Sequence, residues 1–118
     1  MEIIIRRNSV INIVPSWDYI LTIRFESLTD YETIDEIYFV CADLGICKQM
    51  IPETLIVGDI TYYCFYCKVP YTETINFENP LTTKYNLNAI FVDGSIHGGY
   101  CGGELNVIDN KNICFSTT

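Results

Sequence analysis

The sequence predicts an all-β fold: an immunoglobulin-like antiparallel β-sandwich of about 7–9 short strands. Three observations carry this expectation. Apolar residues recur at a period of two through most of the 118 residues. The alternating runs are rich in β-branched and aromatic residues, which favour a pleated, half-buried surface. Turn chemistry separates them, and no segment sustains a helical period over as many as about ten residues.

Taken in order, the expected strands are 2–6, 9–14, 19–26, 34–42, 46–51, 60–69, 85–93, 96–101 and 104–108, with 112–115 left open. In 19–26, Tyr19, Leu21, Ile23 and Phe25 alternate with Ile20, Thr22 and Arg24. In 34–42, Ile37, Phe39 and Cys41 alternate with Glu36, Tyr38 and Val40. In 60–69, Tyr63, Phe65, Cys67 and Val69 alternate with Tyr62, Cys64, Tyr66 and Lys68. In 85–93, Tyr85, Leu87, Ala89 and Phe91 alternate with Asn86, Asn88 and Ile90. The first set of each pair is expected to face the core. Asn8, Pro15-Ser16, Leu28-Thr29-Asp30, Asp43-Leu44-Gly45, Gly58-Asp59 and Asn79-Pro80 read as turns, and Asp93-Gly94 as a hairpin. A short helical turn is expected around Glu73 to Phe77.

The length suits one domain over 1–118, with no internal repeat or linker. The net charge of −8 and pI near 4.3 argue against a nucleic-acid surface and against docking on anionic lipid. The longest apolar run, Ile37 to Ala42, is far short of a membrane span. The opening Met1-Glu2-Ile3-Ile4-Ile5-Arg6-Arg7 puts its charge after the apolar stretch and lacks a cleavage site, so it does not read as a signal peptide. A reducing cytoplasm is then expected, with Cys41, Cys47, Cys64, Cys67, Cys101 and Cys114 as free thiols.

Residues that could carry chemistry favour bland readings. Cys64-Phe65-Tyr66-Cys67 has redox or zinc spacing, but inside a strand the two thiols point to opposite faces. His97, the sole histidine, has Ser95 and Asp93 nearby in sequence, yet a tight turn gives no triad geometry. Gly98-Gly99 and Gly102-Gly103 are followed by neither helix nor lysine, so they read as a bulge or close strand approach and not as a phosphate loop. No catalytic residue, cofactor or metal ligand is expected.

Two features point to protein partners. Glu26, Asp30, Glu32, Asp35, Glu36 and Asp43 form an acidic stretch without an intervening Lys or Arg. It reads as a solvated edge or as a docking patch. Nine tyrosines are many for this length. Tyr38, Tyr62, Tyr66 and Tyr71 fall opposite the expected core or in loops, and tyrosine is favoured at interfaces.

From end to end the chain resembles the N-terminal β-sandwich domain of phage baseplate upper proteins and related stand-alone phage virion proteins. Ile3 to Ser9 leading into Val10 to Val14 resembles the family's first strand, turn and second strand. Leu28 to Val40 resembles its acidic lead-in and "Ile-x-Phe-x-Val" strand, and Pro70 to Phe77 its "Pro/Glu-x-Thr" element. Tyr85 to Phe91, Asp93-Gly94 and Gly103 to Val107 resemble the closing strands. The N-terminal turn lacks the family's Gly-Asp pair, Asp43 to Thr61 is hard to align, and the long fibre region is absent.

The resemblance implies a non-enzymatic virion structural protein: a small adaptor or decoration module on tail, baseplate or capsid proteins, of head-fibre type. It implies homo-oligomers in the assembled particle, a virion location after assembly in the bacterial cytoplasm, and no nucleic-acid or membrane partner. Tyr38, Tyr62, Tyr66, Tyr71, Glu26, Asp30, Glu32, Asp35 and Glu36 are the expected contacts. The competing reading is an acidic inhibitor of a host defence nuclease. It requires the carboxylates on one face at roughly phosphate spacing. A small metal or thiol enzyme ranks last.

Overall fold

A computed structural model describes residues 1–109; the open strand at 112–115 and Cys114 lie outside the described residues. Among the described residues nine strands form two packed sheets. The front sheet has the order β1-β3-β7-β6, from β1 (Glu2–Ile5), β3 (Tyr19–Phe25), β7 (Ile60–Val69) and β6 (Ile51–Val57). The back sheet has the order β2-β9-β8-β4-β5, from β2 (Ile11–Ile13), β9 (Ile96–Val107), β8 (Leu81–Phe91), β4 (Ile34–Cys41) and β5 (Ile46–Gln49). The all-β sandwich expected from the alternation is therefore present.

The alternation also assigns the core. Tyr19, Leu21, Ile23 and Phe25 of β3, with Phe65, Cys67 and Val69 of β7, are buried against Ile37, Phe39 and Cys41 of β4. Tyr85, Leu87 and Ala89 of β8, Leu105 and Val107 of β9, and Ile11 and Ile13 of β2 complete the interior. Phe39 stacks on Tyr85 at 5.4 Å between ring centres. The buried hydroxyls find partners: Tyr85 donates to the Ser9 carbonyl at 2.7 Å, and the Val14 amide donates to the Tyr19 hydroxyl at 2.8 Å.

Several elements differ from expectation, each for a local reason. Most pairings are antiparallel, but β1 runs parallel to β3 and β2 parallel to β9. Between β1 and β2 the chain turns through Asn8, at φ 62°. The strand expected at 46–51 ends at Gln49; the chain crosses sheets at buried Met50 and continues as β6 in the front sheet. β8 starts at Leu81, directly after the cis Asn79-Pro80 bond. The two strands expected at 96–101 and 104–108 are one strand, β9. It bulges opposite Asn88, where Gly99 takes φ 70° and its amide donates to Asn88 Oδ1 at 3.0 Å. Leu28-Thr29-Asp30, expected as a turn, opens a helical turn, α1 (Leu28–Glu32), capped weakly by Ser27. The helical turn expected near Glu73 is α2 (Tyr71–Thr74).

β6 and β7 form a hairpin closed by Gly58-Asp59, with Gly58 at φ 62°. Val57 pairs with Ile60 across this two-residue turn, and the positive φ at its first position fits the primed turns that match strand twist. All seven residues of β6 are exposed. The molecule is elongated, 52 × 34 × 22 Å.

Candidate functional site

The outer faces of the two sheets have opposite character. Cross-strand registers place Thr82, Lys84, Asn86 and Asn88 of β8 beside Glu104 and Asn106 of β9 on the outside of the back sheet. Thr82 donates to Asn106 Oδ1 at 2.8 Å, and Asn106 donates to Asn12 Oδ1 at 3.3 Å. This part of the face is polar and amide-rich, with Tyr38 and Val40 of β4 beside it.

The front sheet's outer face is largely apolar. One cross-strand row runs Ile51, Tyr66, Thr22, Ile4; the next rows toward the turn hold Glu53 with Cys64 and Arg24, then Leu55 with Tyr62, then Val57 with Ile60. Ile51, Leu55, Val57 and Ile60 are 40% to 56% exposed. The charges of this face are Glu2, Arg24, Glu53 and Lys68, of which Glu2 and Arg24 face each other. Arg24 lies over the Tyr62 ring at 4.8 Å and 3.9 Å from Glu2 Oε1, while Thr22 donates to Glu2 Oε2 at 3.2 Å. Aromatic and aliphatic groups among a few charges match the make-up of a protein interface.

Only part of the expected tyrosine set belongs to this face. Tyr62 and Tyr66 sit on it, half-buried. Tyr38 lies on the outside of the back sheet, opposite Gln49 and Asn88, and donates to Glu36 at 3.4 Å. Tyr71 opens α2 at one end of the molecule, its amide donating to Asp18 Oδ1 at 2.7 Å. The expected tyrosines thus do not share a single surface. Exposed aliphatics of β6 replace Tyr38 and Tyr71 as neighbours of Tyr62 and Tyr66.

The acidic residues are dispersed. Glu26 and Asp30 border a groove of about 910 Å³ together with Arg6, Arg7 and Arg24, all the arginines of the chain. Glu32 ends α1 and Asp35 sits at the irregularity that opens β4, both exposed. Glu36 accepts from Tyr38 and from Gln49 Nε2 at 3.2 Å. Asp43 lies beyond the far end of β4, where Thr83 Oγ1 donates to it. From Asp35 to Cys41 the chain travels roughly 20 Å as extended strand before the 3-10 turn that carries Asp43.

Residues with chemical potential are occupied structurally. Cys67 is in the core and Cys64 on the outer face beneath Arg24, so the two thiols face opposite ways as strand geometry requires. Burial pushes the Cys67 thiol up to about 11, and raises Cys64 despite the nearby Arg24. Asp93 Oδ1 accepts from the Ser95 amide at 2.8 Å and hydroxyl at 2.6 Å, closing the β8–β9 turn. The His97 ring packs edge-on against Phe91 at 4.7 Å. Among the described residues no group of three or more His, Cys, Asp or Glu is placed to hold a metal ion. No helix among them is long and apolar enough to cross a membrane.

Compared with known proteins, the chain matches no family model, no curated sequence and no solved structure.

Proposed function

We propose that this protein is a non-enzymatic docking module of a bacteriophage particle, seated by the outer face of its front sheet on a larger tail, baseplate or capsid protein. The observation that carries a docking role is the asymmetry between the two outer faces. One is amide-rich; the other sets Ile4, Ile51, Leu55, Tyr62 and Tyr66 side by side at the surface. An apolar patch of this kind on a small protein marks an interaction site. The virion setting rests on the family resemblance in the sequence.

The strand order supports the immunoglobulin-like part of the reading. A four-stranded sheet faces a sheet in which β9 pairs with β8, β8 with β4, and β4 with β5. Immunoglobulin domains divide their strands in the same way. The parallel β1–β3 pairing departs from that pattern.

Dispersal of the acidic residues favours docking over nucleic-acid mimicry. Glu26 and Asp30 have arginines along the same groove, and Asp43 lies at the other end of β4. The test is to purify particles of the encoding phage by density gradient and search them for this chain by mass spectrometry. Docking predicts a constant ratio to a major structural protein. Absence from purified particles overturns the virion role.

A further inference from the structure

Among the described residues no strand pairs with the outer edge of β6, and we propose that this edge pairs with β6 of a second copy, joining two front sheets into one continuous sheet. The argument starts at the turn. A two-residue hairpin makes Val57 and Ile60 a hydrogen-bonded pair, so Ile51, Glu53, Leu55 and Val57 point their backbone groups toward β7. Pro52, Thr54 and Ile56 point theirs outward. Pro52 fits this assignment, since a proline on an edge strand belongs where its missing N–H faces away from the sheet.

The edge is self-complementary in one register. In an antiparallel pairing about a two-fold axis at Thr54, the two Thr54 residues exchange N–H···O bonds. Each Ile56 N–H donates to the opposite Pro52 carbonyl. On the outer face Ile51 meets Val57 and Glu53 meets Leu55; on the other side Pro52 meets Ile56 and Thr54 meets Thr54. No like charges stand directly opposite, and threonine pairs are favourable across strands. A closed two-fold is also the commonest homo-oligomer symmetry.

Against pairing, the strand carries only Pro52 and the single charge of Glu53. Its seven residues are exposed and include Ile51, Leu55, Ile56 and Val57, with Glu53 as the lone charge. Ile56 is 70% exposed. These side chains and Ile60 expose on the order of 500 Å² of apolar area. Ile60 and Tyr62 lie on β7, one strand in from the paired edge, so their apolar area stays exposed on the joined face. The inference deepens the docking role by doubling the apolar face presented to a platform. It is tested separately, because it concerns the isolated protein.

The experiment is sedimentation velocity on the full chain with thiols reduced, over ~1–100 µM. Three variants run beside it. Ile56→Pro removes an edge N–H that the hairpin does not use, Ile56→Lys adds a charge at an exposed position, and Val40→Lys charges the opposite sheet. Circular dichroism melting checks that each is folded. The expected result is a wild-type dimer, retained in Val40→Lys and weakened at least tenfold in both Ile56 variants. A wild-type monomer at every concentration overturns the inference, and so does a dimer that the Ile56 variants leave intact.

Discussion

Gly103 passes so close to the Ser9 carbonyl and the Tyr85 hydroxyl that a side chain there would collide with backbone. Gly103→Ala is expected to cost about 1–3 kcal/mol through overpacking. Tyr85→Phe, which removes the donor to Ser9, is expected to cost about 1 kcal/mol. Urea denaturation of both single variants and the double variant checks this. Because both act on Ser9, the two costs should fail to add. Thiol chemistry gives a second prediction at this scale. Cys47 is exposed, whereas Cys41, Cys64, Cys67 and Cys101 are buried. Iodoacetamide at pH 8 should therefore label Cys47 first among these, with Cys67, held near 11 by burial, slowest. Rapid labelling of Cys67 in the folded protein would contradict its place in the core. Asp93 supplies the pH dependence. The Ser95 hydroxyl and then the Ser95 amide hold its carboxyl below the usual range. A depressed carboxyl stabilises the folded state above the unfolded value near ~4, and this contribution disappears as pH falls through the lower folded value. The Ser95 amide should stay protected from exchange at pH 6 and lose protection only in stronger acid.

At the scale of elements, the sequence was legible wherever a strand has one buried face. Tyr19 to Phe25 and Ile37 to Cys41 announce both their strands and their inward sides, because alternation is imposed by the core. β6 was not legible for the converse reason. It touches no core, so Thr54-Leu55-Ile56-Val57 shows no alternation, and Pro52 reads against a strand. The usable signal was Gly58-Asp59, a two-residue turn with a β-branched run on each side. The expected docking residues fared similarly. Periodicity assigns Tyr38, Tyr62 and Tyr66 to outward faces, but it does not say which sheet each strand joins. Their separation onto two sides of the molecule follows from topology alone. α1 escaped notice because one turn carries no period, although Ser27-Leu28-Thr29-Asp30 has the spacing of an N-cap with an acidic third residue. Its Tyr31 packs against Tyr63 at 5.5 Å and Phe65 at 5.1 Å, below the β6–β7 hairpin. Tyr31→Ala is expected to loosen the hairpin base and cost about 2 kcal/mol. Hydrogen exchange should then quicken at Tyr62 and Tyr63 while β8 is unaffected. Uniform acceleration across both sheets would mean that α1 supports the whole fold and not the hairpin.

The whole molecule is a sandwich whose two outer surfaces differ in composition. Asparagine, threonine and lysine line β8 and β9 on the back, with Tyr38 and Val40 beside them; tyrosine and aliphatic residues dominate the front, around a few charges and continuous with a strand edge. A net charge of −8 keeps such a particle soluble while the front remains apolar. Docking through the front therefore predicts that charge on that face, and not on the other, expels the protein from its assembly. The most direct measurement is the amount of this chain in purified phage particles, counted by mass spectrometry for wild type, Tyr66→Asp and Val40→Lys. The account predicts equal incorporation of wild type and Val40→Lys and at least a tenfold loss for folded Tyr66→Asp. Incorporation of Tyr66→Asp at the wild-type level, or absence of the wild-type chain from the particles, would contradict it.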